Sequence, residues 1–372
     1  MDSNISAPSN IISLEPTART SESPRPTPPA LQKNSALARL ADSDFPEAVW
    51  NLGGIFLYDN AFTLLYEFAY ENFERHNNAI SEFHGAPPCS WTLDWFQARP
   101  LISPGKIAAR LKKLSVLPGT FVLTLDNPFV PAELLGDAIG NTLLTGVSRL
   151  PRAAVAVASD ALAAHIRRRF PGIRLRAGLN KVVAENGRGN VEYYKKAAAQ
   201  FSVVAIHSDD LFNLPLLEEL AKSVGAEKFE LTVNDSCVRD CPVRSRHLES
   251  LAKIRKSPWA AEFLRERHAL LAKARCEEVA GKPSANVPRA ALLTRDELKK
   301  IYAIGFRRFR LQAETLRSEF AFFWSAASWL LSTKPENWHF KALAETTMIT
   351  KIVAEVEPLP NGLSPFVTRK YD

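Results

Sequence analysis

The chain has 372 residues, of which 46% are hydrophobic and 23% charged, as is ordinary for a globular protein. We expect no membrane span and no secretory signal, because no window holds roughly 18 consecutive apolar residues and no apolar core follows the N-terminus. Four cysteines are too few for a disulfide framework, and 40 acidic residues are interspersed with 47 basic ones at a net charge of +7, so we expect a cytoplasmic protein for which a nucleic-acid partner is allowed but not demanded.

The chain begins with a tail that is poor in large apolar residues. Residues 1–40 are rich in Ser, Pro, Thr and Asn, and such a segment buries too little apolar surface to offset the entropy of ordering its backbone, so we expect disorder. Residues 41–79 contain an aromatic-rich helical pattern, Phe62–Phe73, and are expected to be a helical segment that packs on the domain after it. Residues 333–372 are interpreted as a C-terminal extension.

Residues 80–332 alternate short β-branched runs with amphipathic helical patterns, in eight successive pairs. The predicted strands are Ile80–Gly85, Phe121–Asn127, Ala153–Ser159, Arg174–Asn180, Val203–Ser208, Phe229–Asn234, Arg289–Leu293 and Arg308–Gln312. The predicted helices are Lys106–Leu114, Glu133–Thr145, Asp160–Arg169, Val191–Gln200, Leu214–Gly225, Ser257–Lys273, Arg295–Gly305 and Leu316–Leu331. Asp160 is expected to cap the third helix, and Thr294 with Glu297 predicts a capping box for the helix that ends at Gly305.

Eight β-then-α units over roughly 250 residues predict an α/β fold, a (β/α)8 TIM-like barrel spanning residues 80–332. Strands such as the one at 202–206 are apolar on successive residues, which is typical of a parallel sheet covered by helices on both faces. An open doubly wound sheet is the alternative. It would normally carry a glycine-rich phosphate loop after its first strand, whereas the sequence from Glu82 to Cys89 reads EFHGAPPC.

In such a barrel the C-terminal ends of the strands open onto one face, where the chemistry takes place. Reactive side chains at the predicted strand ends are therefore candidates for a functional site. They are His84, Cys89 and Trp91 after the first strand, Asn127 after the second, His207 and Asp209 after the fifth, and Asn234, Cys237, Arg239, Cys241, Arg244 and His247 after the sixth.

The cysteines suggest a metal centre. Cys237 and Cys241 are four residues apart, so a loop between them can turn both sulfurs toward one metal or cluster. Cys276 is the third predicted ligand, and Cys89 or His247 the fourth. Four converging thiolates suit a [4Fe-4S] cluster or structural zinc, and the lack of a Cys-x-x-Cys pair favours the cluster over zinc. A redox pair or two small buried thiols remain the other interpretations.

The predicted catalytic residues are His207, Asp209, Asn127 and Asn234. The first two can act as an acid–base pair, although polar residues at strand ends often satisfy backbone groups of loops instead. Asn127 is either a turn former or a ligand contact. The predicted substrate-binding residues are Arg239, Arg244, His84 and Trp91. The arginines can hold an anionic substrate or be solvated, and Trp91 is a core aromatic or a stacking surface for a flat substrate.

One stretch resembles a known family. The pattern from Asn234 to His247, Asn-x-x-Cys-x-x-x-Cys-Pro-x-Arg-x-x-His, is similar to the signature of a branch of the collagenase-like peptidase superfamily. Residues 84–85, 124–127 and 292–311, with Cys276 before the last of these, resemble further segments of that family in the same order. The resemblance covers about residues 80 to 330. Ala313-Glu314 stands where the family has Gly-Arg, and Thr294 where it has Pro.

The resemblance implies a TIM-like barrel with an oxygen-sensitive [4Fe-4S] cluster that serves an oxidative or hydroxylating reaction. The superfamily also includes anaerobic ubiquinone-hydroxylation proteins and RNA-hydroxylating enzymes. Many of the related hydroxylation proteins work in pairs, so a partner protein of the same family is one expectation. A peptidase activity, which gave the superfamily its name, is the second hypothesis for the chain. A non-catalytic, zinc-containing binding protein is the third.

Overall fold

Eight parallel strands close into a barrel in this protein. The structure, a computed structural model, describes residues 45, 47–57, 80–93, 104–116, 119–256, 290–312 and 329. The strands are β1 (Val49–Leu52), β2 (Ile80–Gly85), β3 (Thr120–Leu125), β4 (Ala153–Val157), β5 (Arg174–Ala177), β6 (Val204–Ala205), β7 (Phe229–Thr232), β8 (Asn234–Val238), β9 (Ala290–Leu292) and β10 (Arg308–Leu311). Strands β1 to β7 and then β10 follow one another around the closed barrel, which confirms the predicted α/β barrel class.

Helices connect most of these strands. They are α1 (Pro104–Val116), α2 (Ala138–Val147), α3 (Asp160–Arg169), α4 (Leu179–Ala184), α5 (Val191–Gln200), α6 (Leu214–Ser223), α7 (Arg244–Lys256) and α8 (Arg295–Ile304), with 3-10 turns at Ala132–Gly136, Ser208–Phe212 and Ala226–Lys228. Among the described residues, no helix is long and apolar enough to cross a membrane.

The first barrel strand differs from the prediction. β1 lies within the segment 41–79 that we expected to be helical, and it pairs in parallel with β10, from Val49 opposite Arg308 to Leu52 opposite Leu311. It also pairs with β2 and so closes the barrel. Four residues are too few to give a clear alternation of apolar and polar positions, and Asn51 occupies a fully buried position, which further hides the pattern.

The predicted seventh strand is not part of the barrel. β9, within the predicted Arg289–Leu293, pairs antiparallel with β8, with Asn234 opposite Leu292 and Val238 opposite Ala290. The predicted strand Phe229–Asn234 is correspondingly divided, because β7 ends at Thr232 and Asn234 already belongs to β8. β8 and β9 thus form a two-stranded sheet inserted between the last two barrel strands.

The helix starts follow from capping residues. The side chain of Ser159 accepts a hydrogen bond from the backbone of Leu162 and caps α3, so the predicted cap, Asp160, is instead the first helical residue. The predicted capping box of Thr294 and Glu297 is confirmed at the start of α8, and Gly305 ends that helix with φ of 120°, a conformation that favours glycine. The expected tail 1–40, the pattern Phe62–Phe73 and the extension 333–372 lie outside the described residues.

Candidate functional site

A network of charged side chains lies inside the barrel. Glu82 of β2 accepts hydrogen bonds from two guanidinium groups, at 2.7 Å from Nη2 of Arg176 and 2.6 Å from Nη1 of Arg308. Glu230 of β7 accepts a hydrogen bond of 2.6 Å from the amide of Asn51. These contacts join β2 to β5 and β10, and β7 to β1, through the interior of the barrel.

His84, one of the predicted substrate-binding residues, lies inside this network. Its Nε2 atom is 3.2 Å from Glu82 and 3.6 Å from Glu230, and its Nδ1 atom has no hydrogen-bond partner among the described residues. The imidazole is 1% exposed. It is therefore enclosed in the barrel rather than presented on a surface.

Glu82, His84 and Glu230 offer three donor atoms within 4.8 Å of one another, a spacing that a metal ion can use. Burial raises the pKa of Glu82, but the hydrogen bond from His84 and the ion pair with Arg176 outweigh it and hold that pKa well below its ordinary range. A cation bound here would either displace the two arginines that bind Glu82 or be repelled by their positive charges. The chemistry of the group is that of a buried salt-bridge network, and it is specific to no cofactor.

A small cavity opens where the strands end. Its volume is about 30 Å³. Its wall consists of residues at the C-terminal ends of four barrel strands and just beyond them: Thr124, Asp126, Ala156, Val157, Ala158, Gly178, Leu179, Asn180, Arg310 and Gln312. This is the face at which parallel barrels bind their ligands.

Cys237 and Cys241 lie side by side after β7. Both are free thiols, partly exposed, and the thiol of Cys237 donates a hydrogen bond to Cys241. That bond lowers the pKa of Cys241 to about 6, helped by the backbone N–H of Val243 and the charge of Arg244. The same bond and burial raise the pKa of Cys237 well above its usual range. The pair is thus a thiol next to a thiolate.

A buried ion pair supports the two cysteines. The carboxylate of Asp235 is 3% exposed and binds the guanidinium of Arg244, and it accepts hydrogen bonds from the backbone N–H of Cys237 at 3.0 Å and from the hydroxyl of Ser208. Asp240, with φ of 55°, makes the turn between the cysteines. Arg244, predicted to bind substrate, therefore holds the cysteine segment in place.

His207 and Asp209 connect to the same segment. The Nδ1 atom of His207 accepts a hydrogen bond of 3.2 Å from the backbone of Asp209. One carboxylate oxygen of Asp209 accepts a bond of 3.3 Å from the backbone of Asp240, and the other is 3.2 Å from Arg188. Burial and the charges of Arg244 and Arg188 lower the pKa of His207 to about 3. His207 is neutral at pH 7, and so weakly basic an imidazole makes a poor general base.

The two predicted catalytic asparagines hold backbone groups. Asn127 donates to the carbonyl of Ser90 at 3.0 Å and accepts from the backbone of Phe129 at 2.9 Å. Asn234 donates to the carbonyl of Gln312 at 2.9 Å and accepts from its N–H at 2.7 Å. Asn234 thereby joins the start of β8 to the residue after β10, beside the cavity.

The remaining predicted residues have different environments. Trp91 is fully buried, donates a hydrogen bond of 2.8 Å to the carbonyl of Leu134 and packs closely on Gly140, so it is a core aromatic. Cys89 is 2% exposed, within the main apolar core. The guanidinium of Arg239 stacks on Phe212 at 3.8 Å, and its side chain is 36% exposed.

Several residues of the site were not predicted from the sequence. Asp235 and Ser208 support the cysteines, and Tyr194 donates a hydrogen bond of 2.7 Å to the buried carboxylate of Asp210 while accepting one of 2.9 Å from the backbone of His207. For Asp235 a signal was present, since it lies inside the pattern that begins at Asn234. The other residues come from separate loops, which only the folded chain brings together.

The structure thus brings together Cys237, Cys241, Arg244, His207 and Asp209. Cys276 lies outside the described residues, so its predicted position as the third ligand stays a prediction. Comparison with protein-family models, with curated proteins and with solved structures gave no match to the chain.

Proposed function

We propose that the chain is a (β/α)8 TIM-like barrel that binds a [4Fe-4S] cluster at its C-terminal mouth and uses it in an oxygen-independent hydroxylation or another redox modification. The observation that carries this proposal is the pair of adjacent reduced sulfurs, Cys237 and Cys241, on the segment that leaves β7. The resemblance to the collagenase-like peptidase superfamily, whose branch carries the same cysteine pattern, supports it.

The donor chemistry of the pair fits such a cluster. Clusters of this kind are bound by thiolates, and the pKa of Cys241, about 6, makes it a thiolate at neutral pH. Cys237 would release its proton on binding. The buried guanidinium of Arg244 supplies a positive charge next to the sulfurs, which offsets part of the negative charge that two thiolates introduce.

Cys276 is proposed as the third ligand, and Cys89 or His247 as the fourth. His247 lies in the first turn of α7, directly after the cysteine segment. Cys89 follows β2, which is separated from β7 by β1 and β10 around the barrel. His247 follows the two cysteines closely in the sequence, whereas two strands separate Cys89 from them around the barrel, and this favours His247 as the fourth ligand.

A bound cluster would supply one-electron chemistry at the mouth of the barrel. The protein's own residues would do the rest: the ion pair of Asp235 and Arg244 fixes the sulfur-bearing turn, and the neutral imidazole of His207 closes the neighbouring turn without adding charge. The substrate would enter from the same mouth, where the cavity lies.

Elemental analysis tests the proposal. The full chain, purified and reconstituted without oxygen, should contain about four iron and four sulfide per chain. Cys237→Ser, Cys241→Ser and Cys276→Ser should lose the iron, whereas Arg246→Gln, an exposed position on the same segment, should retain it. Cys89→Ser and His247→Gln identify the fourth ligand. A colourless wild type without iron would refute the proposal.

Two other functions give different results in the same experiment. Stoichiometric zinc without iron, lost in the cysteine variants, would indicate the non-catalytic zinc-containing protein. Peptide hydrolysis that persists without iron and disappears in His207→Asn would indicate a peptidase. The peptidase ranks lower, because a pKa of about 3 leaves His207 a weak base.

A further inference from the structure

Most of the net charge of the chain comes from one short stretch. Residues 149–176 contain seven arginines and one aspartate, with no lysine and no glutamate, and therefore carry a charge of +6. Taking these from the 47 basic and 40 acidic residues of the whole chain leaves 40 and 39, a charge of only +1. Such a concentration of arginine is typical of a surface that binds a polyanion.

The fold places six of these arginines at one end of the barrel. β4 and β5 are adjacent and parallel, with Ala154 opposite Arg174, so the residues just before them lie together at the N-terminal end of the barrel, opposite to the mouth. The loop before β4 carries two of the arginines, the last turn of α3 carries three, and β5 begins with the sixth. We call these six residues the basic face: Arg149, Arg152, Arg167, Arg168, Arg169 and Arg174.

The two other charged residues of the stretch lie away from the basic face. Arg176 points into the barrel, where it binds Glu82. Asp160 is the first residue of α3 and binds Lys181 at 2.6 Å, so it lies roughly 12 Å along the helix from the last turn, at about 1.5 Å per residue. The stretch therefore supplies no carboxylate to balance the six arginines.

Two arginines of the basic face are held in place by neutral groups. Arg167 donates a hydrogen bond of 3.0 Å to the carbonyl of Gln200, and Arg169 donates one of 2.9 Å to the side-chain oxygen of Asn141. Neither bond neutralises a charge. The two guanidinium groups are thus oriented while their charges stay available to a ligand.

The fold does not explain the other charges of this face. All six arginines are exposed, and the side chains of Arg149, Arg168 and Arg174 form no hydrogen bond or ion pair within the described part of the chain. The dipole of α3 favours cations in its last turn, but Arg149 and Arg174 lie outside that helix. Like charges this close repel one another, so a bound polyanion would stabilise the face.

The neighbouring side chains indicate which polyanion fits. Besides the arginines, the exposed residues of the two loops are small or are prolines: Ser148, Pro151, Pro171 and Gly172. The larger apolar residues of the loops are half-buried and pack on the core: Leu150, Phe170 and Ile173. The loops thus present no apolar side chain that could insert into a lipid surface, and no exposed aromatic ring on which unpaired bases could stack.

The phosphate backbone of a duplex needs neither of these features. A double helix carries about one negative charge per 1.7 Å of its axis, and guanidinium groups bind phosphates through paired hydrogen bonds. Contacts of this kind fix the position of a protein on a duplex without reading its sequence. Six exposed arginines on two neighbouring loops suit such a ligand.

We propose that the basic face binds the phosphate backbone of a double-stranded nucleic acid, independently of its sequence. Arg149, Arg168 and Arg174 would contact phosphates directly, since their guanidinium groups have no other described partner. The face lies at the end of the barrel remote from the cysteines, so this binding goes beyond the proposed function and does not depend on it.

Fluorescence anisotropy with the full chain and labelled duplexes of about 20 base pairs tests the proposal. We expect a Kd of about 1 µM or below at about 50 mM salt, and a slope of about −4 or steeper for the logarithm of the association constant for DNA against that of the salt concentration, because at least about four phosphates would be neutralised. An RNA duplex of the same sequence is measured in parallel. Similar affinities support recognition of the backbone, and a preference for one duplex identifies which kind the face binds.

A double variant with a matched control locates the binding. Arg168→Gln/Arg174→Gln should weaken binding at least about tenfold at about 50 mM salt and make the slope shallower by about two, since each phosphate contact contributes about one. The control Arg246→Gln/Lys300→Gln also removes two positive charges, from exposed positions on α7 and α8, and should bind like the wild type. The melting temperatures of both should stay unchanged, because all four side chains are exposed.

Equal losses in the two double variants would overturn the proposal, because the net charge of the chain would then set the affinity. The absence of saturable duplex binding would also overturn it, as would a slope shallower than about −2. Tighter binding of the single strand than of the duplex, or binding of phosphatidylserine vesicles without binding of the duplex, would likewise contradict it.

Arg149→Glu decides the matter if Arg168→Gln/Arg174→Gln does not fold. This substitution lies in the other loop and should weaken duplex binding as well, and an unchanged affinity would overturn the proposal. Duplex binding by a chain that takes up no iron would leave the basic face intact while refuting the cluster, so the two failures can be told apart.

Discussion

At the scale of single residues, the site depends on how neighbours set the protonation of two sulfurs. The spacing of Cys237 and Cys241 was sufficient to predict that their side chains meet, because a four-residue step allows one loop to turn both inward. The sequence could not show that Asp235 and Ser208 support them. Ser208 begins the 3-10 turn after β6 and Asp235 lies at the start of β8, and the pairing of β6 with β7 brings the two together.

The first prediction concerns the reactivity of Cys241. In the reduced, metal-free protein, alkylation by iodoacetamide should follow a titration with a midpoint near pH 6, since the thiolate is the nucleophile and the hydrogen bond from Cys237 lowers the pKa of Cys241 to about 6. Cys237→Ala removes this donor, so the midpoint should move up toward about 8.5, the value of an ordinary thiol. The rate at pH 7 should then fall.

Mass spectrometry of the modified peptide gives the rate at each pH. Cys89→Ala is the matched control, because it removes a thiol from the apolar core and should leave the profile of Cys241 unchanged. A wild-type midpoint above pH 8, or one that does not move in Cys237→Ala, would contradict the hydrogen bond between the two sulfurs.

At the scale of elements, the barrel was predictable because most of its units carry clear start and stop signals. α3, α5 and α8 begin where the sequence places them, and Thr294 with Glu297 caps α8 as expected. β1 escaped detection because four residues with a polar one facing inward give no period. β9 was predicted to be a barrel strand because a short apolar run before a capped helix has the same sequence pattern whether it pairs in a parallel barrel or in an antiparallel sheet.

The second prediction concerns the cap of α8. Thr294→Ala removes the hydroxyl that accepts the backbone N–H of Glu297, so the free energy of unfolding should fall by about 1 kcal/mol. Thr142→Ala, at an exposed position inside α2, should be neutral or slightly stabilising, because alanine is the better helix former. Urea denaturation measures both. Equal losses in the two variants would show that the cap contributes nothing specific.

At the scale of the whole molecule, the barrel is joined through its interior by charged side chains rather than by apolar layers alone. Glu82 links β2 to β5 and β10 through two arginines, and Glu230 links β7 to β1 through Asn51. Such a network could not be predicted from the sequence, since alternation marks these positions as ordinary polar residues facing solvent. Closure of the sheet turns them inward.

The third prediction tests this network. Glu82→Gln leaves Arg176, whose side chain is 7% exposed, without its charged partner, so the free energy of unfolding at pH 7 should fall by about 3–5 kcal/mol. Glu133→Gln, at an exposed position, should change it little.

The stabilisation of the fold by Glu82 depends on pH with a defined sign. The folded-state pKa of Glu82 is lowered from its ordinary value of 4.5, so its carboxylate stabilises the fold fully above about that pH and progressively less below it. The difference between wild type and Glu82→Gln should therefore narrow as the pH falls below about 4.5. A difference that is small at pH 7, or that widens in acid, would contradict the role given to Glu82.

The central claim is that Cys237 and Cys241 bind an iron–sulfur cluster, and a Mössbauer spectrum tests it most directly. Protein produced with ⁵⁷Fe and purified without oxygen should give the spectrum of a [4Fe-4S] cluster, and the double variant Cys237→Ser/Cys241→Ser, prepared in parallel, should give none. Identical spectra from the two proteins, or a wild type that contains no iron, would contradict the account.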